Sequence, residues 1–194
     1  MNVQPVRLEG PSLILDPLTL EHAAALWAKT DPDLFLHTLE WPRDSSAEAF
    51  DEWLRHSLAR PASLPFIILV KPELEAVGMT GYLEIRPAHR GLEIGRTWIA
   101  KSHQGTRVNP ESKYLLLRHA FEELGAARVQ FKTDVNNLQS QKAIEKLGAQ
   151  REGVLRRYQM RTNGFIRDTM IYSLIADEWP AAKARLEERL GRPF

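Results

Sequence analysis

The stretch that decides the fold is HQGTRVNPESKYLLLRHAFEELGAARVQFKTDV, residues 103–135. It begins as a polar loop, continues as an apolar-periodic helix from Pro110 to Leu124, and ends as a run rich in β-branched and aromatic residues. Proline in the first turn and Gly125 just past the end mark the bounds of this helix. The apolar run RTWIA, residues 96–100, precedes the loop, so the order strand, helix, strand predicts one parallel pair of strands.

The segments on either side of this unit predict an otherwise antiparallel sheet. Upstream lie an opening strand at residues 12–17, two amphipathic helices, and three strand-like runs separated by turns, PFIILVK, AVGMTGYLEIR and GLEIGRTWIA. Downstream, a helix ends at Gly148, a hairpin turns at Asn163-Gly164, and a capped helix follows. We therefore predict an α/β fold of the α+β type, one domain over residues 1–194, with a mixed, mostly antiparallel sheet of about seven strands and helices on both faces.

The composition excludes several classes of function. Lys and Arg number 26 against 25 Asp and Glu, so the net charge of +1 gives no global field that favours nucleic acid or an anionic membrane. The chain has no cysteine, which removes disulfides, thiol nucleophiles and thiolate metal sites. No apolar run is long enough to span a bilayer, and the N-terminus lacks the pattern of a secretory signal. We expect a cytoplasmic protein with no metal, nucleic-acid or membrane partner.

The polar loop before the long helix has the chemistry of a phosphate site. A helix N-terminus presents unpaired N–H groups and a positive dipole end, and both favour anions. His103, Gln104, Thr106, Arg107 and Asn109 can all donate hydrogen bonds there. The alternative is a simple connector in which Asn109 caps the helix, and the local sequence leaves both interpretations open. The loop lacks the endings of the Walker and dinucleotide-binding motifs.

A second polar cluster follows the next strand, in NNLQSQKAIEKLGA at residues 136–149. Asn137 and Ser140 stand three residues apart, so both point to the same side of the helix start. They form either part of a binding site or an asparagine cap with a solvent-facing serine.

Five stretches together resemble a known family: LEIGRTWIA, the quoted loop and helix, NNLQSQKAIEKLGA, REGVLRR and RDTMIYSLIADEWP, which cover roughly residues 92–180. On them the chain resembles the GCN5-related N-acetyltransferase (GNAT) superfamily, and within it the ribosomal-protein N-terminal acetyltransferases. The resemblance implies a GNAT fold whose parallel pair is splayed to hold acetyl-CoA. It further implies direct transfer of the acetyl group to a primary amine and is compatible with a homodimer.

The resemblance assigns cofactor-binding roles to the loop. Gln104 matches the first place of the family loop, whose backbone N–H groups hold the pyrophosphate, so the resemblance places Gln104, Gly105, Thr106, Arg107, Val108 and Asn109 at the cofactor. Arg107 and Asn109 stand where the family has glycines, which puts the loop conformation in question at Arg107. We expect the side chain of Arg107 or Lys113 to add a charged contact to the phosphates.

The same resemblance places the acetyl group between the splayed strands. Backbone N–H groups around Ile99 would bind the pantetheine amides and the thioester oxygen, and Asn137 would contact the pantetheine arm. Many members carry a tyrosine acid for the leaving thiolate where this chain has Ile144, so Ser140 inherits that place. A serine hydroxyl is a poor acid, and hydrogen bonding to the thiolate is the role that it can fill.

Two acidic residues on the predicted central strands are candidates for the base, Glu93 before Glu84. Each alternates with apolar neighbours, so each carboxylate lies on the face opposite those side chains. The alternative is that each is a structural partner of Arg86 or Arg96. A base reached through water, His103 and Asp134 also remain open.

Aromatic residues could line an acceptor pocket, namely Trp41, Tyr82 and Trp98 together with Phe35, although such residues more often belong to a core. We expect an amine acceptor, either the α-amine of a protein or a small molecule. A GNAT fold that binds an acyl-CoA as a sensor without turnover is the alternative from outside the enzyme class.

Overall fold

The computed structural model describes residues 1–191, so the last three residues of the predicted domain lie outside it. One sheet of eight strands runs through this part in the order β1-β2-β3-β4-β5-β6-β8-β7. The strands are β1 Leu8–Glu9, β2 Leu13–Pro17, β3 Leu64–Val70, β4 Glu75–Arg86, β5 Gly91–Ile99, β6 Arg128–Asp134, β7 Gln150–Met160 and β8 Ile166–Ile175. Neighbours are antiparallel except for β5 and β6, which confirms the predicted sheet; the strand beyond the expected seven is the two-residue β1.

Within residues 1–191, five α-helices accompany the sheet: α1 Ala23–Trp27, α2 Ala47–Leu58, α3 Val108–Arg118, α4 Leu138–Glu145 and α5 Trp179–Leu190. Ser46 begins α2 because its hydroxyl accepts the Ala49 N–H at 3.2 Å. Asn137 begins α4 in the same way by accepting the Ser140 N–H. Helices lie on both faces of the sheet, as predicted, because each face carries its own apolar cluster.

The two apolar clusters divide the chain by face. On one face α3, α5 and the C-terminal strands bury side chains such as Tyr82, Tyr114 and Phe131. On the other face α1, α2 and the segment before α2 pack around Ile67 and Trp98. The N-terminal third therefore covers one face of β4 and β5, while α3 covers the other.

The parallel pair is short, and its strands then separate. β5 pairs with β6 only at Gly91, Leu92 and Glu93, although β5 continues to Ile99 and β6 to Asp134. Beyond Glu93 the backbones of β5 and β6 no longer pair with each other. The splay expected from the family resemblance is thus present.

Two bulges shape the strands beside this gap. Between the pairs Gly81–Gly95 and Met79–Trp98, β5 holds one more residue than β4, and Arg96 there has φ +51°. Glu84 lies in the second irregularity, with φ +45°. An extra residue re-aims the side chains near it, so these bulges decide which side chains meet in the gap.

Helix α3 begins earlier than predicted. It starts at Val108 rather than Pro110, so Asn109 lies in the first turn and the alternative in which Asn109 caps the helix is wrong. A π-helical turn, His119–Glu123, follows α3, and Gly125 ends it with φ +64°. The Leu116 carbonyl accepts both the His119 N–H and the Tyr82 hydroxyl, the latter at 2.7 Å.

No helix among residues 1–191 combines the length and apolarity that crossing a membrane requires. Within the same residues, no group of three or more histidine and acidic side chains is arranged to hold a metal ion.

Candidate active site

A cleft of about 710 Å³ opens where β5 and β6 separate. Its walls come from both strands, from the loop before α3, from one side of α4 and from the segment that precedes α2. The predicted site residues that line it are Glu84, Glu93, Trp98, Ile99, Gln104, Gly105, Asn109, Asn137 and Ser140. One groove therefore brings together most of the residues that the sequence singled out.

The end of β5 directs backbone groups into the gap. The Ala100 N–H donates to the Val77 carbonyl and so points towards β4. Because successive N–H groups in a strand point to opposite edges, the Ile99 N–H faces β6 across the gap. The Gln104 side chain donates to the Ile99 carbonyl at 3.1 Å, which ties the loop to this edge.

The loop before α3 takes its sharp turn at Gly105, where φ is +74°. An added Cβ there would meet nothing within 4 Å, so the requirement for glycine comes from the backbone conformation alone. Thr106 steadies the turn because its hydroxyl donates to the His103 carbonyl at 2.7 Å and accepts the Val108 N–H at 3.3 Å. The loop thus delivers the start of α3 to the cleft.

Arg107 is not the anomaly that its place in the family loop suggests. Its φ of −69° and ψ of −13° are helical, so no glycine is needed there. Its Nε donates to the Glu111 carboxylate at 3.0 Å and an Nη group reaches the Leu190 carbonyl at 3.4 Å. The side chain is therefore engaged with α3 and α5, so we do not expect it to contact the phosphates.

Replacing Arg107 with glutamine should leave the dissociation constant for acetyl-CoA within about twofold while lowering the free energy of unfolding by about 1–2 kcal/mol. Glu111 is fully buried and would lose a charged partner, although the Ser12 N–H at 2.8 Å and the Ser12 hydroxyl would remain. Calorimetric titration and urea unfolding of the variant measure the two quantities. A weakening of acetyl-CoA binding by about tenfold at unchanged stability would return Arg107 to the phosphate site.

Lys113 also departs from its expected role. It is buried on the sheet side of α3, and its Nζ donates to the Thr80 hydroxyl at 3.1 Å and to the Thr97 hydroxyl. No carboxylate among residues 1–191 pairs with it, and burial lowers the pKa of the Lys113 amine to about 7. It lines the floor of the cleft beside the β5 bulge rather than reaching the loop as a phosphate contact.

Lys113→Met should change how stability depends on pH. The folded pKa of about 7 lies below the ordinary lysine value of about 10.4, so between these values only the unfolded chain binds the proton. The free energy of unfolding of the native protein should therefore rise with pH, by at most about 1.4 kcal/mol per pH unit from this group. Urea unfolding at about pH 7, 8 and 9 should show that rise weakened in the variant, whereas parallel curves would contradict the assignment.

The first turn of α4 presents its side chains to the other wall. The Asn137 side-chain oxygen accepts the Ser140 N–H at 3.0 Å, so the asparagine is a cap and also lines the cleft with its amide. Ser140 is half-buried and lines the same wall, with Ala143 and Ile144 on the following turn. Asn137 therefore caps the helix and also faces the cleft.

The two candidate bases, Glu93 and Glu84, share the Lys132 ammonium near the place where β5 and β6 begin to separate. Glu93 is buried and lies 3.1 Å from the Lys132 ammonium, which also binds Glu84. Burial raises the pKa of the Glu93 carboxyl above its ordinary value, although Lys132 opposes the shift. Glu84 has a side chain that is 45% exposed and accepts from Gln130 at 2.8 Å.

The other candidates for the base lie elsewhere or are engaged. Arg86 donates to Gln130 at 3.1 Å, and Arg96 binds Ser57 and lies 3.6 Å from Glu40, so neither arginine is the partner of Glu84 or Glu93. Asp134 is fully buried against Arg161, and His103 lies 3.7 Å from Glu75. Neither Asp134 nor His103 lines the cleft.

Three aromatic rings, those of Phe35, Trp53 and Trp98, form one wall of the cleft, called here the aromatic wall. Phe35 packs against Trp53 with ring centroids 5.9 Å apart and against Trp98 at 6.2 Å. Trp98 is the predicted pocket residue that the structure places here. Trp41 is half-buried, packs against the apolar cluster formed with α1 and α2, and does not line the cleft. Tyr82 is fully buried under α3, where it contacts His119 at 3.0 Å, so it is a core residue and not a pocket residue.

Sequence reasoning missed several polar residues on this wall. Arg167, Arg60, His37 and Trp53 all line the cleft, and each has a buried nitrogen without a hydrogen-bond partner among residues 1–191. Arg167 is buried, and burial lowers the pKa of its guanidinium below the ordinary value. The alternation in IRDTMIY, which puts Arg167 on the face of Thr169, was the available signal.

Comparison with known proteins agrees with the family resemblance of the sequence motifs. The profile described as "Acetyltransferase (GNAT) domain" matches residues 12–150. "Uncharacterized N-acetyltransferase p20" of Bacillus licheniformis is 25% identical over 170 residues, which cover 86% of this chain and 94% of that protein. "Putative ribosomal N-acetyltransferase YdaF" of Bacillus subtilis is 34% identical over 106 residues, 55% of this chain and 57% of that protein.

Solved structures agree over nearly the whole chain. A crystal structure of a "putative acetyltransferase" from T. thermophilus is 42% identical with a TM-score of 0.93 and covers 98% of this chain and 100% of that one. A GCN5-related N-acetyltransferase from Brucella melitensis is 26% identical with a TM-score of 0.90, covering 97% and 87%. With most of its length matched by the profile and its sheet shared with these structures, this chain belongs to the GNAT acetyltransferase family.

Proposed function

We propose that this enzyme transfers the acetyl group of acetyl-CoA directly to a primary amine that enters from the aromatic wall. The observation that carries the proposal is the separation of β5 from β6 after Glu93. The resulting cleft has the open backbone edge of β5 on one side and the buried Glu93 carboxylate where the two strands begin to separate. Bound there, acetyl-CoA supplies an acetyl group activated as a thioester.

The chain offers a fitting cradle for such a molecule. The Gly105 turn and the start of α3 present backbone N–H groups suited to a pyrophosphate, contributed by Gly105, Thr106 and Arg107, while the Val108 N–H is donated to the Thr106 hydroxyl. Asn109 and Gln104 add side chains to the same wall. The open edge of β5 is suited to the amides of the pantetheine arm, since an unpaired strand edge binds extended amide groups as a further strand would.

Three groups would carry the chemistry. The Ile99 N–H, fixed in the strand, donates to the thioester oxygen where negative charge grows. Glu93 takes the proton of the incoming ammonium, directly or through water, and its raised pKa brings it closer to the working pH. Ser140 donates a hydrogen bond to the departing sulfur, and no covalent intermediate with the enzyme is needed.

The acceptor class is the finer part of the proposal. The α-amine of a protein N-terminus is favoured by the names of two similar proteins, the "Putative ribosomal N-acetyltransferase YdaF" of Bacillus subtilis and a "putative ribosomal-protein-serine acetyltransferase" of the same fold from Vibrio cholerae. A small-molecule amine is the second candidate, favoured by the enclosed aromatic wall of Phe35, Trp53 and Trp98.

A panel of amines distinguishes these candidates. Release of free CoA would be followed with a thiol reagent while N-terminal peptides of ribosomal proteins, free amino acids, polyamines and aminoglycosides are offered at equal concentrations. The proposal expects release with a subset of α-amines. Release with polyamines or aminoglycosides alone would move the acceptor to the small-molecule class.

We also propose a cytoplasmic location, in keeping with the cysteine-free composition.

We further propose that the protein forms a homodimer. Exposed apolar side chains on the edge strand β7, among them Val154, Leu155 and Tyr158, support the dimer. Light scattering after size exclusion would measure the mass.

A further inference from the structure

Arg167 is a buried cation on the cleft wall without an ion pair. The residue is only 6% exposed, and no carboxylate among residues 1–191 lies within 4 Å of its guanidinium. One Nη group donates to the His37 carbonyl at 2.9 Å and the other to Gln159 at 3.2 Å, while Nε has no hydrogen-bond partner in the described part of the chain. A desolvated charge held only by neutral groups is costly, so a counter-charge is expected from elsewhere.

The acidic groups on the same face of the sheet are already matched. Asp134 forms an ion pair with Arg161 and accepts the Asn136 N–H at 2.8 Å. Glu93 lies against Lys132. Lys132 is shared with Glu84, and Asp134 and Glu93 both favour the charged form of Arg167, so the wall carries no excess of positive charge. What distinguishes Arg167 is that no carboxylate among the described residues is in direct contact with its guanidinium.

Other unpartnered donors lie on the same wall. The buried Nε1 groups of Trp53 and Trp98 and the buried Nε of Arg60 lack hydrogen-bond partners among the described residues, and all three residues line the cleft. His37, whose carbonyl holds Arg167, is two residues from Phe35 at the centre of the aromatic wall. Buried donors in native proteins nearly always find a partner, so several orphans in one wall indicate a ligand rich in acceptor oxygens.

We propose that the acceptor amine carries a carboxylate that binds Arg167, with its carbon skeleton against Phe35, Trp53 and Trp98. This rests on the proposed acetyl transfer and names the class of acceptor. The carboxylate has two sources, the α-carboxylate of a free amino acid or an acidic side chain close to a peptide N-terminus. Both present the planar pair of oxygens that a guanidinium binds well.

Two matched sets of acceptors test the chemistry and separate the sources. The first set is phenylalanine, phenylalaninamide and phenethylamine, which share a ring and an amine but differ in the carboxylate. The second set is tetrapeptides that begin with Ser-Asp or with Ser-Asn. In at least one of the two sets, kcat/KM for the member with the carboxylate should exceed kcat/KM for its amide by about tenfold or more, as expected for a hydrogen bond to a charged group.

The variant Arg167→Gln should then raise KM for the preferred carboxylate acceptor about tenfold or more. It should leave KM for the matched amide within about twofold and the dissociation constant of acetyl-CoA unchanged. Arg167→Lys, which keeps the charge, should recover part of the loss. Arg156→Gln, which removes an exposed arginine on β7 that does not line the cleft, is the control.

Equal use of carboxylate and amide acceptors by the native enzyme would overturn the inference. So would an Arg167→Gln variant that loses both acceptors alike, because a purely structural arginine would have that effect. If no amine at all stimulated CoA release, the proposed function itself would fail, which is a distinct result.

Discussion

Glu93→Gln is expected to lower kcat/KM for the acceptor amine by about 10²- to 10⁴-fold, the usual contribution of a positioned base. Glutamine has nearly the same shape but cannot accept a proton, and the Lys132 ammonium would lose one of its two carboxylates. Binding of acetyl-CoA should be nearly unchanged, because the cradle lies at the other end of the cleft. Steady-state kinetics with a fixed acceptor and calorimetric titration with acetyl-CoA separate the two effects.

The pH profile makes this prediction sharper. Glu93 is active as the carboxylate, so kcat/KM of the native enzyme should fall as the pH drops through its raised pKa. That acid limb should disappear in the Glu93→Gln variant. The same measurement on Glu84→Gln decides between the two acids, since loss of the limb there and its retention in Glu93→Gln would make Glu84 the base.

Ala143→Trp is expected to weaken acetyl-CoA binding by about 100-fold or more. Ala143 lies on the cleft wall one turn beyond Ser140, so an indole there would fill the space assigned to the pantetheine arm. Loss of most contacts of a narrow arm removes several kcal/mol of binding free energy, and each step of about 1.4 kcal/mol is a factor of ten. Calorimetric titration measures the dissociation constant.

Lys142→Trp is the matched control for this change. Lys142 is the neighbouring residue of α4, is exposed and does not line the cleft. It should bind acetyl-CoA as the native protein does, and both variants should unfold at about the native temperature. Normal binding by Ala143→Trp would place the pantetheine arm outside the gap.

The fold was predictable from local patterns because its decisive signals are short in range. The order of strands and helices, the parallel pair and the caps at Ser46 and Asn137 each depend on residues close in sequence. The splayed gap followed from the family resemblance, and the structure supplies its cause in the three-residue pairing of β5 with β6.

The errors fall where tertiary context overrides a local pattern. Tyr82 and Trp41 have the composition of pocket residues, but the face on which each lies depends on packing against distant helices. Lys113 points into the sheet, which a positive charge on a loop-to-helix junction does not suggest. The partner of Arg107 was readable, since Arg107 and Glu111 have the i,i+4 spacing of a helical ion pair.

The strand alternation places Arg167 on one face of β8, but the sequence could not show that this cation has no carboxylate in contact with it. Its significance comes from which acids are already matched, and those pairs join β5 with β6 and β6 with Arg161, far apart in the chain. Single-sequence patterns carry no information on such long-range pairing.

The central claim is that this cleft performs acetyl transfer and does more than bind an acyl-CoA. The most direct measurement follows free CoA and acetylated amine together, by thiol assay and mass spectrometry, with and without an α-amine acceptor. The account predicts CoA release that depends on the acceptor, with one acetylated amine formed for each CoA released. Tight binding of acetyl-CoA without any acceptor-dependent release would contradict it and indicate a sensor.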